Sequence, residues 1–158
     1  DGSEYYRRFA QAGIVYGPAF RTMQKLQVGA SFALSTLSLA DGQGEGVEDF
    51  ILHPSLVDGA LQTVAGMAGG GEASVPYLPF AIDEIEILHP LSRTCHVHVE
   101  EAEPRAAGRA DVRKFNIRIA NERGLVLVAL NKFCVRALPP APKNPPPCPE
   151  RDTGANLA

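Results

Sequence analysis

Residues 93–101 alternate strictly: Cys95, Val97 and Val99 fall on one side, and Thr94, His96, His98 and Glu100 on the other. A period of two over that length predicts a strand with one buried face. Residues 114–120 repeat the pattern, with Phe115, Ile117 and Ile119 inward. Residues 125–135 are more continuously apolar, as a strand flanked on both sides would be. Asn121-Glu122-Arg123-Gly124 reads as the hairpin turn between the last two. Residues 77–88 form a further strand, and residues 20–28 and 32–39 two more, joined near Gly29.

One segment has a different rhythm. From Pro54, which suits a first helical turn because its missing N–H costs nothing there, a helix is predicted to Met67 or Ala68. Leu56, Ala60, Leu61, Val64 and Ala65 leave it almost no polar face, and a helix apolar all round is buried all round. Gly69-Gly70-Gly71 would end it, and Asp41 to Gly46 reads as a loop. A shorter helix is expected over residues 4–11, with Ser3 as N-cap and Gly13 as its stop, before a turn at Tyr16-Gly17-Pro18. Two strands, a buried helix and four antiparallel strands define an α+β fold class. The expected architecture is a sheet wrapped around one central helix, the hotdog arrangement.

Composition sets the limits. The chain has 158 residues, enough for one domain, and 45% of them are hydrophobic, which supports a core. A formal net charge of −3 offers no electrostatic footprint for nucleic acid. No apolar run reaches the length of a membrane span, so no membrane association is expected. Three cysteines without a close pair speak against a disulfide framework or a zinc site and for a reducing cytoplasm. From Pro139 prolines crowd the sequence, so the folded domain is expected over residues 1–138 and a semi-rigid linker over residues 139–158. The charged start without a Met, together with that linker, suggests a segment of a longer polypeptide.

The candidate chemistry sits in the central helix, in His53-Pro54-Ser55-Leu56-Val57-Asp58-Gly59-Ala60-Leu61-Gln62. Residues four apart share a helix face, so Asp58 and Gln62 should point the same way, among Leu, Val, Ala and Gly. A carboxylate in such a setting, without a cation, tends to keep its proton or to do chemistry. The blander reading is a satisfied structural carboxylate with a packing glutamine beside it. His96 and His98 share a strand face but lack an evident third ligand, so a solvated face is the better reading. Glu100, Glu101 and Glu103 read as a solvated charge run, and Asp83, Glu84 and Glu86 as surface positions. His53 reads as a helix-entry residue, and Cys95 and Cys134 as small core residues.

Three segments now coincide: Tyr16-Gly17-Pro18-Ala19-Phe20, the ten residues from His53 to Gln62, and Tyr77-Leu78-Pro79-Phe80. In this order they resemble the C-terminal half of a polyketide synthase dehydratase domain. The ending, Phe133-Cys134-Val135-Arg136, is similar to that family's last hairpin. The resemblance covers residues 3–138. It implies the second hotdog of a double hotdog, with Asp58 and Gln62 as the Asp-x3-Gln motif. The family's other motif, His-x3-Gly-x4-Pro, does not occur in this sequence. The resemblance therefore implies a catalytic His supplied by an N-terminal half, and a chain inactive without it.

That family dehydrates a β-hydroxyacyl thioester carried by an acyl carrier protein to the α,β-enoyl thioester. The departing hydroxyl needs a proton, which is general acid catalysis. Asp58 is implied as the acid, kept protonated by an apolar tunnel. Gln62 would hold the carboxyl or the departing oxygen. Tyr16, with Gly17 and Pro18, would orient the substrate, and Leu78, Pro79 and Phe80 would line the tunnel. No metal or redox cofactor is implied, since the phosphopantetheine arm arrives with the substrate. The implied partners are the N-terminal half, the carrier protein, neighbouring synthase domains and a second copy in a homodimer. Alternatives keep the site and shift a double bond or close a pyran ring, or leave a non-catalytic remnant for dimerisation or carrier docking.

Overall fold

The computed structural model describes residues 1–11, 13–40, 47–68, 77–103 and 112–137. The predicted stops at residues 69–71, the loop at 41–46 and the proline-rich stretch from 139, with Cys148, lie outside them.

Among the described residues two α-helices and six strands follow in chain order: α1 (Gly2–Gln11), β1 (Met23–Val28), β2 (Phe32–Ser38), α2 (Pro54–Ala68), β3 (Tyr77–Ile87), β4 (Thr94–Glu101), β5 (Val112–Ala120) and β6 (Val126–Ala137). The strands form one sheet in the order β1-β2-β4-β5-β6-β3, and every neighbouring pair is antiparallel. This sheet curls around α2, the hotdog arrangement that the pattern predicts.

The alternation in the sequence becomes the core. Cys95, Val97 and Val99 of β4, Phe115, Ile117 and Ile119 of β5, and Ala33 and Leu37 of β2 are buried against Leu56, Ala60 and Val64 of α2. Those three helix residues are spaced by four and form one continuous stripe. Burying each of the Val, Leu, Ile and Phe side chains contributes roughly 1.5–3 kcal/mol. The helix is not apolar throughout its buried surface, however: Ser55, Gln62 and Thr63 are buried as well. Each has a polar partner. Thr63 Oγ1 lies 2.7 Å from Ser35 Oγ and donates to the Gly59 carbonyl, and the Ser55 carbonyl accepts from Thr22 Oγ1 at 3.2 Å.

Two boundaries near the start of the chain differ from expectation. Helix α1 starts at Gly2, and the Asp1 carboxylate accepts from the Ser3 N–H at 3.1 Å; Ser3 is therefore inside the helix and not its cap. A Cβ on Gly2 would lie 1.9 Å from the Met23 carbonyl oxygen, so α1 meets β1 at its first turn. Phe20 is not in a strand: Pro18–Phe20 form a 3-10 turn, and β1 begins only at Met23. Between β5 and β6, Asn131 and Lys132 oppose the single residue Asn116, whose side chain accepts the Lys132 N–H at 3.2 Å. Lys132 takes φ +52, as a bulge residue does.

Candidate active site

Asp58 owes its position to the first two turns of α2. The His53 carbonyl accepts the N–H groups of Leu56 and Val57, both at 3.0 Å, and starts the helix one residue before Pro54. Gly59, next to Asp58, allows the helix to press onto the sheet. A Cβ there would stand 2.4 Å from Thr22 Oγ1 and would crowd both methyls of Leu37. The half-buried carboxyl of Asp58 is consequently held at the rim of the core.

One turn on, Gln62 is 2% exposed, and all its polar groups are engaged. Its Nε2 donates to Asp58 Oδ2 at 2.7 Å and to the Phe20 carbonyl at 3.0 Å. Its Oε1 accepts from the Tyr6 hydroxyl at 3.0 Å, and its own main-chain carbonyl accepts from the Tyr5 hydroxyl. Tyr6 Oη in turn accepts the Met23 N–H at 3.0 Å. Asp58 and Gln62 do point the same way, as the spacing requires. The groups that α1 brings to this face are phenolic, Tyr5 and Tyr6. No ion pair reaches Asp58 among the described residues.

Tyr16 completes the cluster. Its ring packs edge-on against Tyr6, with centroids 5.9 Å apart, and against Phe9 at 5.2 Å. Its hydroxyl makes no hydrogen bond to Asp58 or Gln62; the main-chain carbonyl accepts from Arg21 Nε at 2.9 Å. Burial first, then the Asp58 charge and Tyr6, push the Tyr16 phenol up to about 12. Burial is also the main cause raising Tyr6, with the Asp58 charge adding to it and the Met23 N–H working against it. Both phenols therefore stay protonated at neutral pH.

Gly17 and Pro18 contribute through the backbone. Gly17 precedes the 3-10 turn, and its carbonyl accepts the Phe20 N–H at 3.0 Å, which presents the Phe20 carbonyl to Gln62. Leu78, Pro79 and Phe80 lie elsewhere, on β3 at the sheet edge. All three are exposed, Phe80 at 60%, and no hydrogen bond or ring contact links them to Asp58 or Gln62; the Phe80 ring faces the Arg136 guanidinium at 4.2 Å. All three thus form open surface among the described residues.

The remaining candidates resolve as packing or surface. His96 lies 3.3 Å from Thr36 Oγ1, and His98 stacks on Phe32. Glu101 corrects the expected charge run: with buried Arg113 it forms a salt bridge at 3.0 Å, while Glu103 pairs with Lys114. His53 is buried at the helix entry, with Nδ1 lacking a hydrogen-bond partner and its pKa lowered by burial. Among the described residues no group of three or more His, Cys, Asp or Glu could hold a metal, and no helix is long and apolar enough to cross a membrane.

The described residues thus place a carboxyl and a carboxamide on consecutive turns of the central helix of a hotdog sheet, a candidate site of a general kind. Comparison with known proteins narrows it. The family described as "Polyketide synthase dehydratase N-terminal domain" matches residues 1–145, and the chain belongs to the polyketide synthase dehydratases. Polyketide synthase PksN of Bacillus subtilis (strain 168) is 32% identical over 133 residues, 84% of this chain but 2% of that synthase. A trans-AT polyketide synthase dehydratase domain from Brevibacillus brevis superposes with a TM-score of 0.78 at 31% identity, over 88% of this chain and 48% of that one. The CurK dehydratase domain of the curacin polyketide synthase gives 0.74 at 29% identity, over 87% and 47%. Two CurK dehydratase variants, one Asp→Asn and one His→Phe, are described as inactive mutants. This chain thus spans about half of the solved dehydratase domains it resembles.

Proposed function

We propose that this chain is the aspartate-bearing, C-terminal hotdog half of a polyketide synthase dehydratase, with Asp58 as the general acid. The carrying observation is the 2.7 Å hydrogen bond from Gln62 Nε2 to Asp58 Oδ2 on consecutive turns of a buried helix. The matched family's description speaks of an N-terminal domain. We favour the second half because Asp58-x3-Gln62 is present and His-x3-Gly-x4-Pro is not. The inactive CurK variants, which lack either an aspartate or a histidine, agree with an active site of two such groups.

In this reading the substrate is a β-hydroxyacyl thioester on the phosphopantetheine arm of an acyl carrier protein. A histidine from the N-terminal half removes the α-proton. The electron pair forms the double bond as the β C–O bond breaks, and the departing oxygen takes its proton from Asp58. Water and the α,β-enoyl thioester leave, and the resulting Asp58 carboxylate regains a proton before the next turnover. Gln62 keeps the carboxyl aimed, and the Tyr16 phenol borders the substrate. The exposed Leu78, Pro79 and Phe80 would face the acyl chain or the other half once the domain is complete. No cofactor takes part. Residues 1–138 form the domain and residues 139–158 the tether to the next synthase domain, with the whole dehydratase working as a homodimer.

The test is Asp58→Asn in the complete dehydratase, assayed by product analysis of a defined β-hydroxyacyl thioester. Loss of a general acid costs about 10²- to 10⁴-fold in kcat. Full retention of water elimination refutes the assignment.

A further inference from the structure

We infer that Tyr6 is a positioning residue of this site, which decides through Gln62 which Asp58 oxygen is tied to the protein and which faces the substrate. The inference rests on the reading of Asp58 as the acid.

Tyr6 Oη accepts the Met23 N–H at 3.0 Å, so its single proton must point elsewhere. Two acceptors are in reach: Gln62 Oε1 at 3.0 Å and the Phe20 carbonyl at 3.3 Å. The second already receives Gln62 Nε2 at 3.0 Å. Donation to Oε1 therefore satisfies the most groups, and it fixes the oxygen end of the carboxamide on the Tyr6 side. The nitrogen end then has two hydrogens for two acceptors, the Phe20 carbonyl and Asp58 Oδ2. An inverted amide would set Oε1 against the Phe20 carbonyl, with no proton between two oxygens. It would also leave the Tyr6 proton only the longer contact to Phe20.

The consequence concerns proton placement. Asp58 Oδ2 is engaged as an acceptor, so the transferable proton belongs on Oδ1, the oxygen not bound by Gln62. Tyr6, 56 residues from Gln62, thus acts on the acid without touching the substrate. Tyr5 ties α1 to the Gln62 main chain separately, so removing the Tyr6 hydroxyl should leave α1 docked.

The experiment uses the complete dehydratase with Tyr6→Phe, Gln62→Ala and the double variant, each checked by thermal melting. Tyr6→Phe is expected to lower kcat about tenfold, the size of one hydrogen bond, with KM unchanged within about twofold. In the Gln62→Ala background the same change should cost nothing further, because its intermediary is gone. Wild-type kcat in Tyr6→Phe, or equal losses in both backgrounds, overturns the inference. If Tyr6→Phe does not fold, Gln62→Glu carries the test: a carboxylate cannot donate to Asp58, so kcat should fall at least as far as in Gln62→Ala, and wild-type activity overturns the inference. Asp58→Asn measured alongside separates the two claims. If Asp58→Asn stays active, the acid assignment and the Tyr6 role fall together. If Asp58→Asn is dead and Tyr6→Phe is silent, only the Tyr6 role falls.

Discussion

Strands β5 and β3 lie on either side of β6 and pair with it in the same antiparallel sense, yet they have opposite fates. In β5 every second residue is buried, with Phe115, Ile117 and Ile119 inaccessible to solvent. In β3 all residues after Tyr77 are exposed, including Phe80, Ile82, Ile85 and Ile87. The apolar content is similar; what differs is whether the described residues supply a cover. Helix α2 divides in the same way, with Leu56, Ala60 and Val64 sealed against the sheet and Asp58 half-open. One side of the molecule is finished by its own residues, whereas the other exposes an apolar sheet edge of the kind proteins normally pair or shield.

The sharpest way to break this comparison is to delete the same methyl groups on both strands. In the isolated chain Ile117→Ala is expected to cost about 2–5 kcal/mol in urea unfolding. Ile85→Ala should stay within about 0.5 kcal/mol. Equal costs would mean that β3 is already covered, by a second copy or otherwise. Gly59→Ala should cost about 1–3 kcal/mol, because its methyl group would push α2 off Thr22 and Leu37. The isolated chain should also self-associate through its uncovered edge, and Ile85→Lys should reduce that association in light scattering; a clean wild-type monomer would contradict the prediction. The smallest expected effect is one of pH. Burial holds folded His53 below its ordinary value of 6.5, so the unfolded chain takes up the proton first as pH falls. Its contribution is therefore intact above about pH 6.5 and lost as the pH drops through the lower folded value. His53→Asn should flatten the stability profile in that range.

The strands that the sequence reveals most clearly are those whose neighbours are local or symmetric. Val97 and Ile117 alternate because both faces of their strands are decided by one sheet. Phe20 misleads, since an apolar residue ahead of a strand resembles its first residue; Pro18 instead turns the chain and makes the Phe20 carbonyl a ligand of Gln62. Asp58 and Gln62 are legible because one helix carries both. Tyr6 is not, because its partner is remote in sequence and an aromatic on a short helix looks like packing. The available signal was the pair Tyr5-Tyr6 just ahead of the Tyr-Gly-Pro turn. Leu78 and Phe80 are legible only as apolar positions: apolarity marks a surface to be covered without saying which segment covers it.

Gly2 has a practical meaning for anyone recombining such synthases. Its backbone lies so close to Met23 that even a methyl group at this point collides. A crossover point placed inside the first eleven residues would splice a foreign sequence into that contact and separate Tyr5 and Tyr6 from the helix they brace. Module exchange should therefore keep α1 on the same inherited block as Asp58, with the junction upstream of Gly2.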